Sequence, residues 1–143
     1  VVPPRVILDT CVLVAGLRSA TGASRAVLER VGSPGFQLLL SVPLVVEYEA
    51  VLARGIPGRP DLDATSIRTF VGYLCSVATH RDTWFRWRPA LRDPDDDFLL
   101  ELAIAGSADA IITHNVRDFA PAAAFGVTVM TPGRLLRLLE ERP

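Results

Sequence analysis

The chain alternates short, apolar, β-favouring runs with longer stretches whose apolar residues recur at helical spacing. That alternation constrains the fold more than any other feature of the sequence. Val6 to Leu8, Phe36 to Leu40, Ala110 to Thr113 and Val127 to Thr131 read as strands. Helices are expected at Thr10 to Arg18 and at Ala23 to Val31, with a break at Thr21-Gly22. A third, from Pro43 to Arg54, carries the stripe Leu44, Val45, Tyr48, Val51, Leu52 and starts at Ser41. A fourth, capped by Asp63 or Thr65, runs to about Ala78, a fifth covers Phe98 to Ala105, and Pro132 to Glu141 is a final amphipathic helix. Strands separated by helices cannot close as tight hairpins; they are joined by crossovers and lie parallel. An α/β domain with a mainly parallel sheet follows. Ser33-Pro34-Gly35 reads as a turn and Gly55 to Pro60 as a loop within the domain. His80 to Leu91, with Trp84, Phe85 and Trp87, reads equally as a strand or a packed loop. With no internal repeat and 143 residues, one domain over 1–143 is expected.

Half the residues are hydrophobic and mean hydropathy is +0.32, which argues against disorder. No apolar run approaches the roughly 18 residues that span a bilayer, so no membrane association is expected. The start VVPPRVILD lacks the ordered parts of a signal peptide, and two cysteines, Cys11 and Cys75, suit reduced thiols, so a cytoplasmic location is expected. The net charge of −1 gives no global attraction to nucleic acid, and every basic side chain is Arg.

The stretch VILDTCVLVAGLRS places Asp9 and Cys11 just beyond the first strand, and either could carry chemistry. A thiol phosphate cradle needs small residues, so that backbone N–H groups can reach the anion. Between Cys11 and Arg18 lie six residues, bulky and apolar except for Ala15 and Gly16, which argues for Cys11 as a small buried neighbour. Asp9, by contrast, stands at the carboxyl end of a strand, where ligands bind in open α/β sheets. Glu47 follows the second strand, the acids of Asp93 to Asp97 open a helix, and Asp118 follows the strand Ala110 to Thr113. Each alone has a plain explanation as a cap, a dipole partner or a solvated side chain. Their convergence on one sheet edge does not: clustered carboxylates repel, and a hard divalent cation relieves that repulsion. The absence of a Cys/His ligand set argues against zinc.

These residues resemble the PIN-domain ribonucleases, among them the VapC-like toxins of bacterial toxin–antitoxin pairs, over nearly the whole chain. VILDTCVLVAGLRS resembles that family's opening strand and helix, SVPLVVEYEAVLAR its second acidic motif, and RDPDDDFLLELAIAGSADAIITHNVRDF its third and fourth combined. The resemblance implies a three-layer α/β/α fold with a central sheet of four to five strands. It implies RNA hydrolysis with Mg²⁺ or Mn²⁺ held by Asp9, Asp96, Asp118 and Glu47, with Asp97 and Asp93 flanking the third acid. Thr113 and Thr10 would hydrogen-bond a ligand or a phosphate. Arg18, Arg117 and His114 would contact RNA, on a rim that Arg25, Arg54 and Arg59 extend. A homodimer and a cognate antitoxin are implied as partners. Two departures stand out. Cys11 replaces the usual Asn, and a thiol orients the first carboxylate poorly. Asn115 replaces an acid, leaving Asp118 as its substitute and weaker metal affinity as the expectation.

Two other readings compete. A phosphatase or phospho-receiver with Asp9 as nucleophile would want a second acid near the first and a Lys, and the sequence has no Lys. A degenerate PIN-like module would bind RNA or a protein without cutting, consistent with Cys11 and Asn115. Loss of Asp9 separates that module from an enzyme.

Overall fold

In the computed structural model the described residues are 2–83 and 97–141, with the side chains of Asp97 and Phe98 also outside the description. The chain runs β1 (Arg5–Leu8), α1 (Thr10–Arg18), α2 (Ala23–Glu29), β2 (Gln37–Leu40), α3 (Val42–Leu52), α4 (Ala64–Val77), β3 (Thr79–His80), α5 (Asp97–Ala105), β4 (Ala110–Ile112), a 3-10 segment (Val116–Phe125), β5 (Thr128–Met130) and α6 (Pro132–Glu141). The five strands form one sheet in the order β3-β2-β1-β4-β5, every pair parallel.

β1 is central, and its sequence explains why. Val6, Ile7 and Leu8 are all fully buried. Successive strand side chains point to opposite faces, so such a run needs cover on both sides. Helices supply that cover, as the expected three-layer arrangement requires. Burying each of these side chains contributes roughly 1.5–3 kcal/mol. The chain winds from β1 through β2 to β3 on one side and then places β4 and β5 on the other. The reversal falls between β1 and β4, and in open α/β sheets that junction opens a crevice at the carboxyl ends of the strands.

The helix starts are encoded locally. Ser41 Oγ accepts from the Leu44 amide at 3.3 Å and Pro43 lies in the first turn of α3. Asp63 accepts from the Ser66 amide at 2.9 Å, which settles the choice between Asp63 and Thr65 as the cap of α4. On α6, Leu135 is buried and Leu136 and Leu139 pack against the core, so these leucines serve the fold. The edge strand Thr79–His80 reaches into the stretch from His80 that the sequence leaves ambiguous; its part from Trp84 to Leu91 lies outside the described residues.

Candidate functional site

Asp9 occupies the N-cap position of α1 in an extended conformation, φ −65° and ψ 148°, yet its side chain makes no capping hydrogen bond. Capping is therefore not its role. The residue is 8 % exposed. Its Oδ2 accepts from the Thr113 hydroxyl at 2.7 Å and from the Cys11 thiol at 3.2 Å. Thr113 directly follows β4 and is fully buried, so this bond spans the junction between β1 and β4. The backbone repeats the connection: the Asp9 amide donates to the Ile112 carbonyl at 2.9 Å, and the Thr113 amide to that of Met130 at 2.9 Å.

A second layer fixes Thr113 and Cys11. The Asn115 amide donates to Thr113 Oγ1 at 3.0 Å, which leaves the hydroxyl hydrogen for Asp9. The His114 amide donates to Cys11 Sγ at 3.5 Å, and Sγ lies 3.6 Å from Thr113 Oγ1. Cys11 thus stands in the orienting place beside the first carboxylate, where its thiol is a weak donor. Burial, then the charge of Asp9, pushes the Cys11 thiol up to about 11, partly offset by the His114 amide and the Thr113 hydroxyl. A neutral thiol donates to a carboxylate and makes a poor nucleophile. Of the two candidates in VILDTC, the geometry favours the aspartate.

Asp9 Oδ1 has no hydrogen-bond partner among the described residues, and no cationic side chain pairs with the carboxylate there. A buried anionic oxygen with free lone pairs suits a hard cation. The donors nearby are oxygens and a protonated thiol, which fits Mg²⁺ or Mn²⁺ better than a thiolate-seeking metal. Further ligands are needed. Among the described residues no group of three or more His, Cys, Asp or Glu side chains comes together for an ion. Asp93 and Asp96 lie outside the described residues, as does the side chain of Asp97, so the third acidic motif is not part of this geometry.

The other expected residues are placed as follows. Glu47 is half-buried in α3, beyond the carboxyl end of β2. Asp118 is half-buried in the first turn of the 3-10 segment, its amide donating to the Asn115 carbonyl at 3.0 Å. Asn115 is exposed and its side chain does not cap that segment. Thr10 is buried at the start of α1. Arg18, Arg54 and Arg117 are exposed.

Two of the expected rim arginines also make contacts within the fold. Arg25 donates to the Gly16 carbonyl at 3.3 Å and faces Glu29 at 3.6 Å. Arg59 donates to the Leu17 carbonyl at 2.9 Å and pairs with both oxygens of Asp61. Both satisfy carbonyls of the last turn of α1, which an isolated helix leaves unpaired. Two contacts had no sequence signal. Ser24 Oγ lies 2.8 Å from His114 Nε2, tying α2 to the site, and the Tyr48 hydroxyl donates to the Leu8 carbonyl. The apolar groove of about 360 Å³ between α3 and α4, lined by Leu52, Ile67 and Val71 among others, does not include Asp9.

A parallel 3-2-1-4-5 sheet with a buried carboxylate at its switch point defines an α/β domain with an acidic strand-end site. The profile of the PIN domain matches residues 5–117, and the chain belongs to that family. The matched span includes Asp9, Glu47, Asp96 and Thr113 and stops one residue short of Asp118. Among solved structures, the chain is similar to VapBC2 from Rickettsia felis bound to a DNA fragment from its promoter. The TM-score is 0.59 and the identity 13 %, over 89 % of this chain and 98 % of that one. At that identity the likeness is one of fold. No curated protein matches the chain.

Proposed function

We propose that this chain is a metal-dependent endoribonuclease and the toxin of a toxin–antitoxin pair, acting on RNA in the cytoplasm. The observation that carries the reading is the buried Asp9 carboxylate at the sheet's switch point, with one oxygen oriented by Thr113 and Cys11 and the other unpartnered among the described residues. Family membership supports it. The likeness to a structure named for a VapBC2 complex supports an antitoxin partner.

Asp9 would hold Mg²⁺ or Mn²⁺ through its unpartnered oxygen, with Asp96 the second ligand and Asp93 or Asp97 beside it; Glu47 and Asp118, which do not form a three-acid group with Asp9 as placed, would have to draw in on metal binding. Bound there, the metal supplies an activated water and stabilises charge on the phosphate and leaving oxygen. Thr113 keeps the carboxylate in one orientation, so that little reorganisation is needed when substrate binds. Arg18 and Arg117, exposed, would take RNA phosphates, whereas Arg25 and Arg59 already donate to carbonyls at the end of α1. The exposed Val42 and Val46, one turn apart on α3, offer an apolar contact for the proposed homodimer.

The test is cleavage of a mixed RNA panel by purified protein with Mg²⁺, Mn²⁺ or EDTA. Metal-dependent cutting is expected. Folded protein that binds RNA and cuts nothing under any condition would instead support the non-cleaving module, the reading that Cys11 and Asn115 favour.

A further inference from the structure

The Leu8–Asp9 peptide group is held at both of its polar ends. Arg5 and Val6 register with Gln37 and Leu38, and the Gln37 amide donates to the Pro4 carbonyl at 2.8 Å. Acceptors alternate along a parallel ladder, so the carbonyls of Pro4, Val6 and Leu8 face β2. Continuing that ladder would give the Leu8 carbonyl to the amide of Ser41. Ser41, however, is where the chain leaves β2 to cap α3. The Tyr48 hydroxyl, from the second turn of α3, donates to the Leu8 carbonyl. The other end of the same peptide, the Asp9 amide, donates to Ile112 on β4. A peptide is planar, so fixing its carbonyl on one side and its amide on the other fixes the plane from which Asp9 leaves the sheet.

We propose that Tyr48 is a positioning residue for Asp9, acting through the Leu8–Asp9 peptide to set the direction of the carboxylate; this rests on the reading of Asp9 as a metal ligand. Tyr48 is fully buried, so its hydroxyl must find a partner inside the protein. A Phe would fill the same space and leave the Leu8 carbonyl unpaired. The partner chosen is the carbonyl adjoining the candidate metal ligand, and the donor sits next to Glu47, the candidate acid of α3. One bond thereby couples the two elements that carry those acids. Three partners in turn orient Asp9: Thr113 and Cys11 on the carboxylate, and Tyr48 through the backbone.

The experiment compares wild type, Tyr48→Phe and Leu135→Ala, the last a core change in α6. Mn²⁺ binding is measured by calorimetry below the unfolding transition, and amide exchange by NMR. Tyr48→Phe is expected to weaken Mn²⁺ binding about tenfold, the lower end of what losing an outer partner of a metal ligand costs. It should also accelerate exchange at the Asp9 amide relative to the Thr113 amide. Leu135→Ala should lower stability and leave Mn²⁺ affinity unchanged. A Tyr48→Phe affinity within about twofold of wild type overturns the proposal. Wild type that binds no Mn²⁺ defeats the metal reading instead, and the exchange data then decide: absence of selective acceleration at Asp9 overturns the positioning role.

Discussion

Replacing Thr113 by Val exchanges one hydroxyl for a methyl. The side chain is fully buried and Val has nearly its shape, but the methyl would stand where Oγ1 lies 2.7 Å from Asp9 Oδ2, closer than carbon and oxygen pack, so the carboxylate must shift slightly as well as lose its donor. What is lost is a 2.7 Å bond to the carboxylate of Asp9, a residue only 8 % exposed. A hydrogen bond to a charged group contributes about 1.5–3 kcal/mol net. Asp9 Oδ2 would keep only the Cys11 thiol at 3.2 Å, a weaker donor. The Asn115 amide also loses its acceptor, but Asn115 is exposed and water can replace the bond. The expected loss is therefore about 2 kcal/mol. With a urea slope of about 1–3 kcal/mol per molar, the midpoint should fall by roughly 1 M. Circular dichroism in urea measures it. The control is the same change in an Asp9→Ala background, where the hydroxyl has no carboxylate to serve. There Thr113→Val should cost little, giving a coupling of about 2 kcal/mol, within the range of residues in direct contact. Equal costs in the two backgrounds would show that Thr113 acts through packing alone and would refute the reasoning.

Three further outcomes follow from the structure. Ser41→Ala should cost about 1 kcal/mol, since it removes the acceptor for the Leu44 amide at the start of α3, and a thermal melt would show it. A Cβ added at Gly16 would meet Leu28 Cγ at 2.9 Å and the Ser24 carbonyl at 3.1 Å, so Gly16→Ala should push α2 from α1 and cost about 1–3 kcal/mol; an unchanged melt would contradict that packing. The Cys11 thiol rises in the folded state from 9.0 to about 11, so the unfolded chain loses that proton first. Stability from this source is complete below pH 9.0 and falls as pH rises toward about 11, and Cys11→Ser should flatten that part of the stability–pH curve.

Long periodic segments were legible in the sequence. Thr10–Arg18 and Pro132–Glu141 read at their observed bounds because an apolar stripe and flanking breakers delimit them. β3 was not, since two residues carry no period. The 3-10 segment Val116–Phe125 contains Pro121 and runs longer than such helices usually do, so no pattern announced it. At the site, Asp9 was legible from its place after a buried run, whereas Thr113 read as the last residue of a strand and was singled out only by the family resemblance. Their bond joins residues 104 apart, and only the sheet order brings them together. Tyr48 read merely as part of a helical stripe, because periodicity reports burial and says nothing about where a buried hydroxyl points. The bonds of Arg25 and Arg59 to carbonyls at the end of α1 were not legible, because composition does not reveal which carbonyls a helix end leaves open.

The most direct test of the account is single-turnover RNA cleavage by wild type and Asp9→Asn, both shown folded by circular dichroism, with Mn²⁺ and with EDTA. Asp9→Asn keeps an acceptor for Thr113 and removes only the charge. The account predicts cutting by wild type with Mn²⁺, none with EDTA, and none by the variant. Equal cutting by the variant would contradict the assignment of the chemistry to Asp9.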